Sequence, residues 1–172
     1  WVALAGALPP IAYMVLVDRL DRKRPEPRGT LRKTTLAGAV AFFPCAIVEA
    51  VLDRAGPIAP MWHVLFRAFV AVALVEETAK ALCLRYYVWP RPEFDERLDG
   101  IVYGTRAALG FALIENVTYL LRVTSMRVFV GTLVMRALLS VPAHAIWGGI
   151  AGHLGARRRF DHRRRPARGQ GL

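Results

Sequence analysis

What the sequence lacks narrows it first. Runs of alternating apolar and polar residues are absent from the 172-residue chain, so no half-buried strand competes with helix. Cysteine is scarce. Cys45 and Cys83 both fall inside apolar blocks, neither has metal-ligand spacing, and a disulfide between them has no evident work to do. Both read as small apolar packers. Acidic residues are outnumbered, 13 against 24 Lys and Arg, for a net charge of +11. The first 17 residues have no basic leader and no small-residue cleavage site at their end, so they read as a membrane span, not a signal peptide. The chain opens on Trp1 without a methionine, and a trimmed piece with N-terminal spans missing is expected. No internal repeat occurs, and no low-complexity segment precedes the C-terminal tail.

What is present is hydrophobicity together with basic charge. Hydrophobic residues make up 55% of the chain, and mean hydropathy is +0.32. A soluble nucleic-acid binder would scatter its arginines over amphipathic elements; here they cluster between apolar blocks. That pattern belongs to a membrane protein with basic loops, with lipids and not nucleic acid as its surroundings. Five blocks, 1–17, 34–52, 61–87, 101–121 and 128–155, approach or exceed the roughly 20 residues of a helical span. The expected fold class is all-α, a polytopic transmembrane helical bundle of about five spans. It occupies 1–156 and is followed by a basic cytoplasmic tail, 157–172. Pro9-Pro10 should shorten or kink the first span.

Five alternating spans put 17 of the 24 basic residues on one side, in segment 18–33, at Arg85, Arg91 and Arg97, and in the tail from Arg157. Only Arg54, Arg122 and Arg127 fall on the other. The basic side is expected to be cytoplasmic, with the C-terminus inside a cell membrane. Gly100, Gly104 and Ala108, and Gly148 and Gly152, recur at four-residue steps, spacing that lets membrane helices approach closely.

Charges within apolar blocks cost several kcal/mol each, so function is the default hypothesis for them. Glu49, His63 and Arg67 lie near span ends and read as interfacial; Arg106 reads as interfacial or ion-paired. "VEETAK" differs. Lys80 stands i,i+4 from Glu76 and i,i+3 from Glu77, so it can reach either carboxylate. Adjacent carboxylates in low dielectric repel, and one holds a proton unless a cation is near. A basic and a tunable carboxylate are what activating a water requires; a structural ion pair that locks helices accounts for the same spacing equally well. Glu115, beside Asn116, has no basic neighbour within a turn of its own span and must find protons, a metal, Lys80 or an arginine elsewhere. Arg136, Ser140, His144 and Gly148 share one slowly drifting face, and Pro142 should bend the helix and free a backbone carbonyl. At about 1.5 Å per residue, Glu76, Glu115 and His144 all lie within about 6 Å of the middle of their spans.

These residues, taken in order, resemble the PrsW family of intramembrane proteases, related to the CAAX-processing and bacteriocin-immunity type membrane proteases. "VEETAK" is similar to the EExxK motif. "LDGIVYGTRAALGFALIENVTYL" is similar to the second block, with its aspartate-glycine entry and an FxxxEN core at Phe111, Glu115 and Asn116. "RALLSVPAHAIWGG" resembles the third, whose histidine falls on His144. The resemblance covers about 60–155. It implies an intramembrane endopeptidase of a bacterial inner (plasma) membrane that cuts a membrane-anchored protein, an anti-sigma factor in related bacteria. A glutamate-activated water would act with or without a metal. Glu76 or Glu77 would be the general base, biased by Lys80. His144 would stabilise the oxyanion or ligate a metal, and Glu115 and Asn116 would orient the water or grip the substrate. In a metalloenzyme, zinc would sit among Glu76, Glu77, Glu115 and His144. Two rivals use the same residues: a proton or ion transporter built on the buried Glu/Lys/His network, and a pseudo-enzyme that binds membrane helices without cutting them.

Overall fold

A computed structural model describes residues 1–21, 24–57 and 59–163, without the side chains of 162 and 163. The described residues form helical rods and no strand. Helix α1 (Val2–Leu20) and α2 (Arg28–Ala55) come first. A third rod joins α3 (Pro60–Phe66), a π-helical stretch Arg67–Leu74, α4 (Val75–Cys83) and a second π-helical stretch Leu84–Val88. Helix α5 (Arg97–Leu121) follows. The last rod joins α6 (Met126–Met135), π-helical Arg136–Ser140 and α7 (Val141–Arg163). The five apolar blocks are these five rods. Pro9 and Pro10 lie inside α1 without ending it. The first seven residues of the expected tail continue α7, and 164–172 lie outside the described residues.

Three of the rods are long and apolar enough to cross a membrane on composition alone: α1, α2 and the rod Met126–Asp161. The other two are interrupted by the charges that the sequence singled out, Glu76, Glu77 and Lys80 in one, Arg106 and Glu115 in the other. Helix α5 tolerates its polar groups because it is the central helix. Tyr103, Ala107, Ala108, Leu109, Phe111 and Ala112 are fully buried along it, and α1, α2 and α7 pack around it.

The aspartate-glycine entry to α5 has two structural uses. Asp99 caps the helix: its Oδ2 accepts the backbone N–H groups of Asp95 and Glu96 at 2.8 Å each, reciprocated by Glu96 in a capping box. Gly100 begins the seam with α7. A Cβ built on Gly152 would lie 1.7 Å from the Gly100 carbonyl oxygen, and one on Gly104 would lie 2.2 Å from that of Gly148. The two backbones touch, as the four-residue spacing predicts.

The three basic segments meet at one end of the bundle. Arg24 pairs with Glu96 at 3.2 Å, Thr30 donates to Glu93 at 3.3 Å, and Arg97 pairs with Asp161. The buried Tyr103 hydroxyl donates to Glu26. Burial, then the Asp99 carboxylate, pushes Glu26 up to about 7, against the opposing pull of Tyr103. Arg106, one turn deeper and read as either interfacial or ion-paired, forms a two-pronged contact with Asp18 of α1.

Candidate active site

The third rod carries Glu76, Glu77 and Lys80 on one turn of α4, so spacing alone brings the lysine to both acids. Lys80 Nζ lies 3.0 Å from Glu76 Oε2 and 2.9 Å from Glu77 Oε1. Its third contact comes from another rod: His144 Nδ1, at 3.0 Å. Beneath it lies the Phe111 ring, 4.5 Å from Nζ to centroid. The ammonium thus meets a carboxylate pair, an imidazole and an aromatic face, and is 2% exposed.

An ammonium has protons to give and no lone pair. His144 Nδ1 therefore accepts, and the ring proton sits on Nε2. Nε2 faces Glu115 Oε2 at 2.9 Å, so α5 fixes the tautomer of a histidine on α7. Glu115 in turn meets Arg136 at 2.6 Å, whose Nε also donates to Asn116 Oδ1 at 2.5 Å. Arg136 lies over the Tyr119 ring, 4.2 Å from its centroid. Asn116 is fully buried and uses its amide nitrogen on the Gly6 carbonyl at 3.4 Å. Lys80, His144, Glu115, Arg136 and Asn116 form one connected chain across three rods.

The local reason for the placement of His144 is Pro142. With no N–H, proline cannot make the i→i−4 bond, and the preceding turn widens: Arg136–Ser140 is π-helical, and the Val141 N–H reaches back to the Arg136 carbonyl. The disturbance expected from Pro142 takes this form. A longer π-helical stretch, Arg67–Leu74, immediately precedes the EExxK turn.

Among the described residues, Glu76, Glu77 and His144 can each offer a donor atom within 4.8 Å of the others. Glu115 stands on the far side of the imidazole. The two glutamates are not equivalent: the Glu76 side chain is 9% exposed and that of Glu77 39%. Glu76 and Glu115 line a cavity of about 250 Å³ that also reaches Glu49, Asp53, Arg67 and Arg122. Much of its wall is α2, including Phe42, Ala46 and Glu49, a helix to which the sequence assigned no part in the site. Arg136 was likewise unassigned; its place on the four-residue face with Ser140 and His144 was the available signal.

Five helical rods with a polar centre beside a cavity define a multi-pass membrane protein. The family described as PrsW family intramembrane metalloprotease matches residues 26–172. Protease PrsW of Geobacillus kaustophilus (strain HTA426) is 34% identical over 161 residues, 94% of this chain and 68% of the relative. Protease PrsW of Bacillus subtilis (strain 168) is 35% identical over 160 residues, 91% of this chain and 68% of the relative. Protease PrsW of Clostridioides difficile (strain 630) is 31% identical over 159 residues, 92% and 66% respectively. No solved structure matches. The chain belongs to the PrsW family, and its activity is that of a protease.

Proposed function

We propose that the protein hydrolyses a peptide bond of a membrane-anchored protein, an anti-sigma factor being the expected kind, at the centre formed by Glu76, Glu77 and His144. The observation that carries this reading is the convergence on Lys80 Nζ of two carboxylates and an imidazole, all within 3.0 Å, beside a cavity. Glu76, the member of the pair that lines the cavity, takes the proton of a water as its oxygen attacks the scissile carbonyl. It then returns that proton to the leaving amine nitrogen. The Lys80 ammonium neutralises negative charge developing on the carbonyl oxygen. His144 presents a lone pair at Nδ1, so it serves as acceptor or ligand and not as an oxyanion donor. Glu115 orients it, and Arg136 with Asn116 holds Glu115 in place.

The same three donors fit a zinc ion. Two carboxylates and an imidazole supply the oxygen and nitrogen donors that zinc takes, three protein ligands as in catalytic sites but with one histidine fewer than the set of two histidines and a glutamate, and a cationic group already lies among them. Glu76, Glu77 and His144 Nδ1 would hold the ion, Lys80 would leave its present position, and Glu115 would be the outer carboxylate on the histidine. Bound there, zinc would acidify a water and polarise the carbonyl. The site lies in a bacterial inner membrane, with the end carrying the three basic segments cytoplasmic.

The test is cleavage of a co-reconstituted single-span protein, before and after chelation, with zinc content measured on the same preparation. His144→Ala should abolish cleavage in either case. Loss on chelation with recovery on zinc selects the metal form. Cleavage unaffected by chelation in a zinc-free preparation selects the form built on Lys80. Full activity in His144→Ala contradicts both.

A further inference from the structure

Among the acids on the cavity wall, Glu49 is the one that belongs to no motif and pairs with no described cation; Arg67 and Arg122 are the cations there. It sits on α2, one helical turn deeper than Asp53, in the cavity shared with Glu76 and Glu115. The other acids there are engaged: Asp53 with Arg67 at 3.4 Å and His63 at 3.3 Å, Glu76 with Lys80, and Glu115 with Arg136 and His144. No hydrogen bond or ion pair joins Glu49 to another described residue, although it feels the charges of Glu76, Glu115, Lys80 and Arg67. A carboxylate kept beside two others in low dielectric is a poor packing choice, and a cation entering the cavity relieves it. The cavity, about 250 Å³, has room for a side chain and a few waters. It cannot take a helix, about 10–12 Å across with its side chains.

We infer that Glu49 is a substrate-binding residue: it takes the basic side chain of a lysine or arginine in the unwound stretch of peptide that reaches Glu76 through this cavity. The inference rests on the protease reading for its consequence and on the cavity alone for its chemistry. Lined by four carboxylates, Glu49, Asp53, Glu76 and Glu115, against two guanidinium groups, Arg67 and Arg122, the cavity favours cations over anions. A neutral or acidic side chain at the same position of the substrate loses that contact.

Two arms separate the parts. In detergent-solubilised full chain lacking Cys45 and Cys83, a single cysteine at Val72 on the cavity wall is titrated with cationic and anionic thiosulfonates of equal size. A cysteine at the exposed Gly29 serves as reference. The cationic reagent should be favoured at Val72 relative to Gly29, and Glu49→Gln should lower that preference by about threefold or more, while Glu49→Asp keeps it. An unreactive Val72 cysteine, or a preference untouched by Glu49→Gln, overturns the inference. In the second arm, single-span substrates carrying Lys, Gln or Glu at each position around the cut are compared. Wild type should show the lowest KM for Lys at one position, Glu49→Gln should remove that preference, and Glu49→Lys should transfer it to Glu. A substrate preference unchanged by both variants also overturns it. If wild type cuts none of the substrates, the protease reading fails, and the thiol arm still decides the cavity's charge.

Discussion

Helix α5 meets α7 in two opposite ways. At Gly100 and Gly104 the helices touch backbone to backbone, with no side chain between them. At Glu115, 11 residues past Gly104, the same pair is joined by a carboxylate–imidazole contact of 2.9 Å. The first interface is backbone against backbone and has one geometry. The second is polar, partly open to a cavity, and backed by Arg136 and Asn116. Close packing at one end fixes the helix axes, so that a long-reach polar contact can be held at the other. In lipid, where burying apolar surface gives helices little reason to associate, that division suits a catalytic protein.

The largest effect should come from the seam. Gly152→Leu drives a side chain into the Gly100 backbone, which no rotamer change relieves. The variant should lose its monodisperse elution in detergent and its cooperative thermal transition. Gly131→Ala, with nothing within 4 Å of the new Cβ, should behave as wild type in both measurements. Equal behaviour of the two variants would mean that the seam does not depend on backbone contact at Gly152.

Next in size is Lys80→Met. It leaves two carboxylates and an imidazole without their shared cation, a change of about 3–5 kcal/mol when one partner of a buried pair is removed. Denaturant unfolding in detergent should show it. A loss near zero would mean that the centre is hydrated well enough to need no cation.

Arg136→Leu should be milder. It frees Glu115 and Asn116 while leaving the seam intact, so the thermal midpoint should fall little. Cleavage should drop by roughly 10–100-fold, as for other groups that orient a ligand from behind. Arg136→Lys, which keeps the charge but not both contacts, should recover part of the activity. Activity lost only in proportion to folded protein would assign Arg136 to the scaffold.

The division between seam and site also separates what was legible in the sequence from what was not. Apolar runs marked five rods, and four-residue glycine spacing marked the seam, because both are local patterns. The bonds from Lys80 to Glu76 and Glu77 were legible for the same reason: i,i+3 and i,i+4 on one helix. His144 was flagged by its proline and its depth, and the Phe111, Glu115 and Asn116 block by resemblance. Which arginine would answer Glu115 was not legible, since contacts between rods depend on rotation about each axis, and a π-helical turn changes that rotation. The wall that α2 supplies was missed because Glu49, near a span end, reads as interfacial until the neighbouring rod is in place.

The smallest expected effect lies far from the site, at the end where the basic segments meet. The raised pKa of Glu26 means that the folded state holds a proton which the unfolded chain releases, so stability falls as pH rises from the ordinary carboxylate range toward about 7. Glu26→Gln should raise the thermal midpoint modestly at about pH 8 and leave it nearly unchanged at about pH 4, because the neutral side chain removes that linkage. A midpoint gap independent of pH would assign Glu26 a packing role only.

The most direct test of the central claim, that α4 and α7 together form one hydrolytic centre, is the cleavage rate of a co-reconstituted single-span protein by the double variant Glu76→Gln, Glu77→Gln. Wild type, matched for elution and thermal midpoint, is the comparison. A single centre of this kind requires a well-folded double variant with no detectable cleavage above background. A double variant that cuts the substrate at the wild-type rate would contradict it.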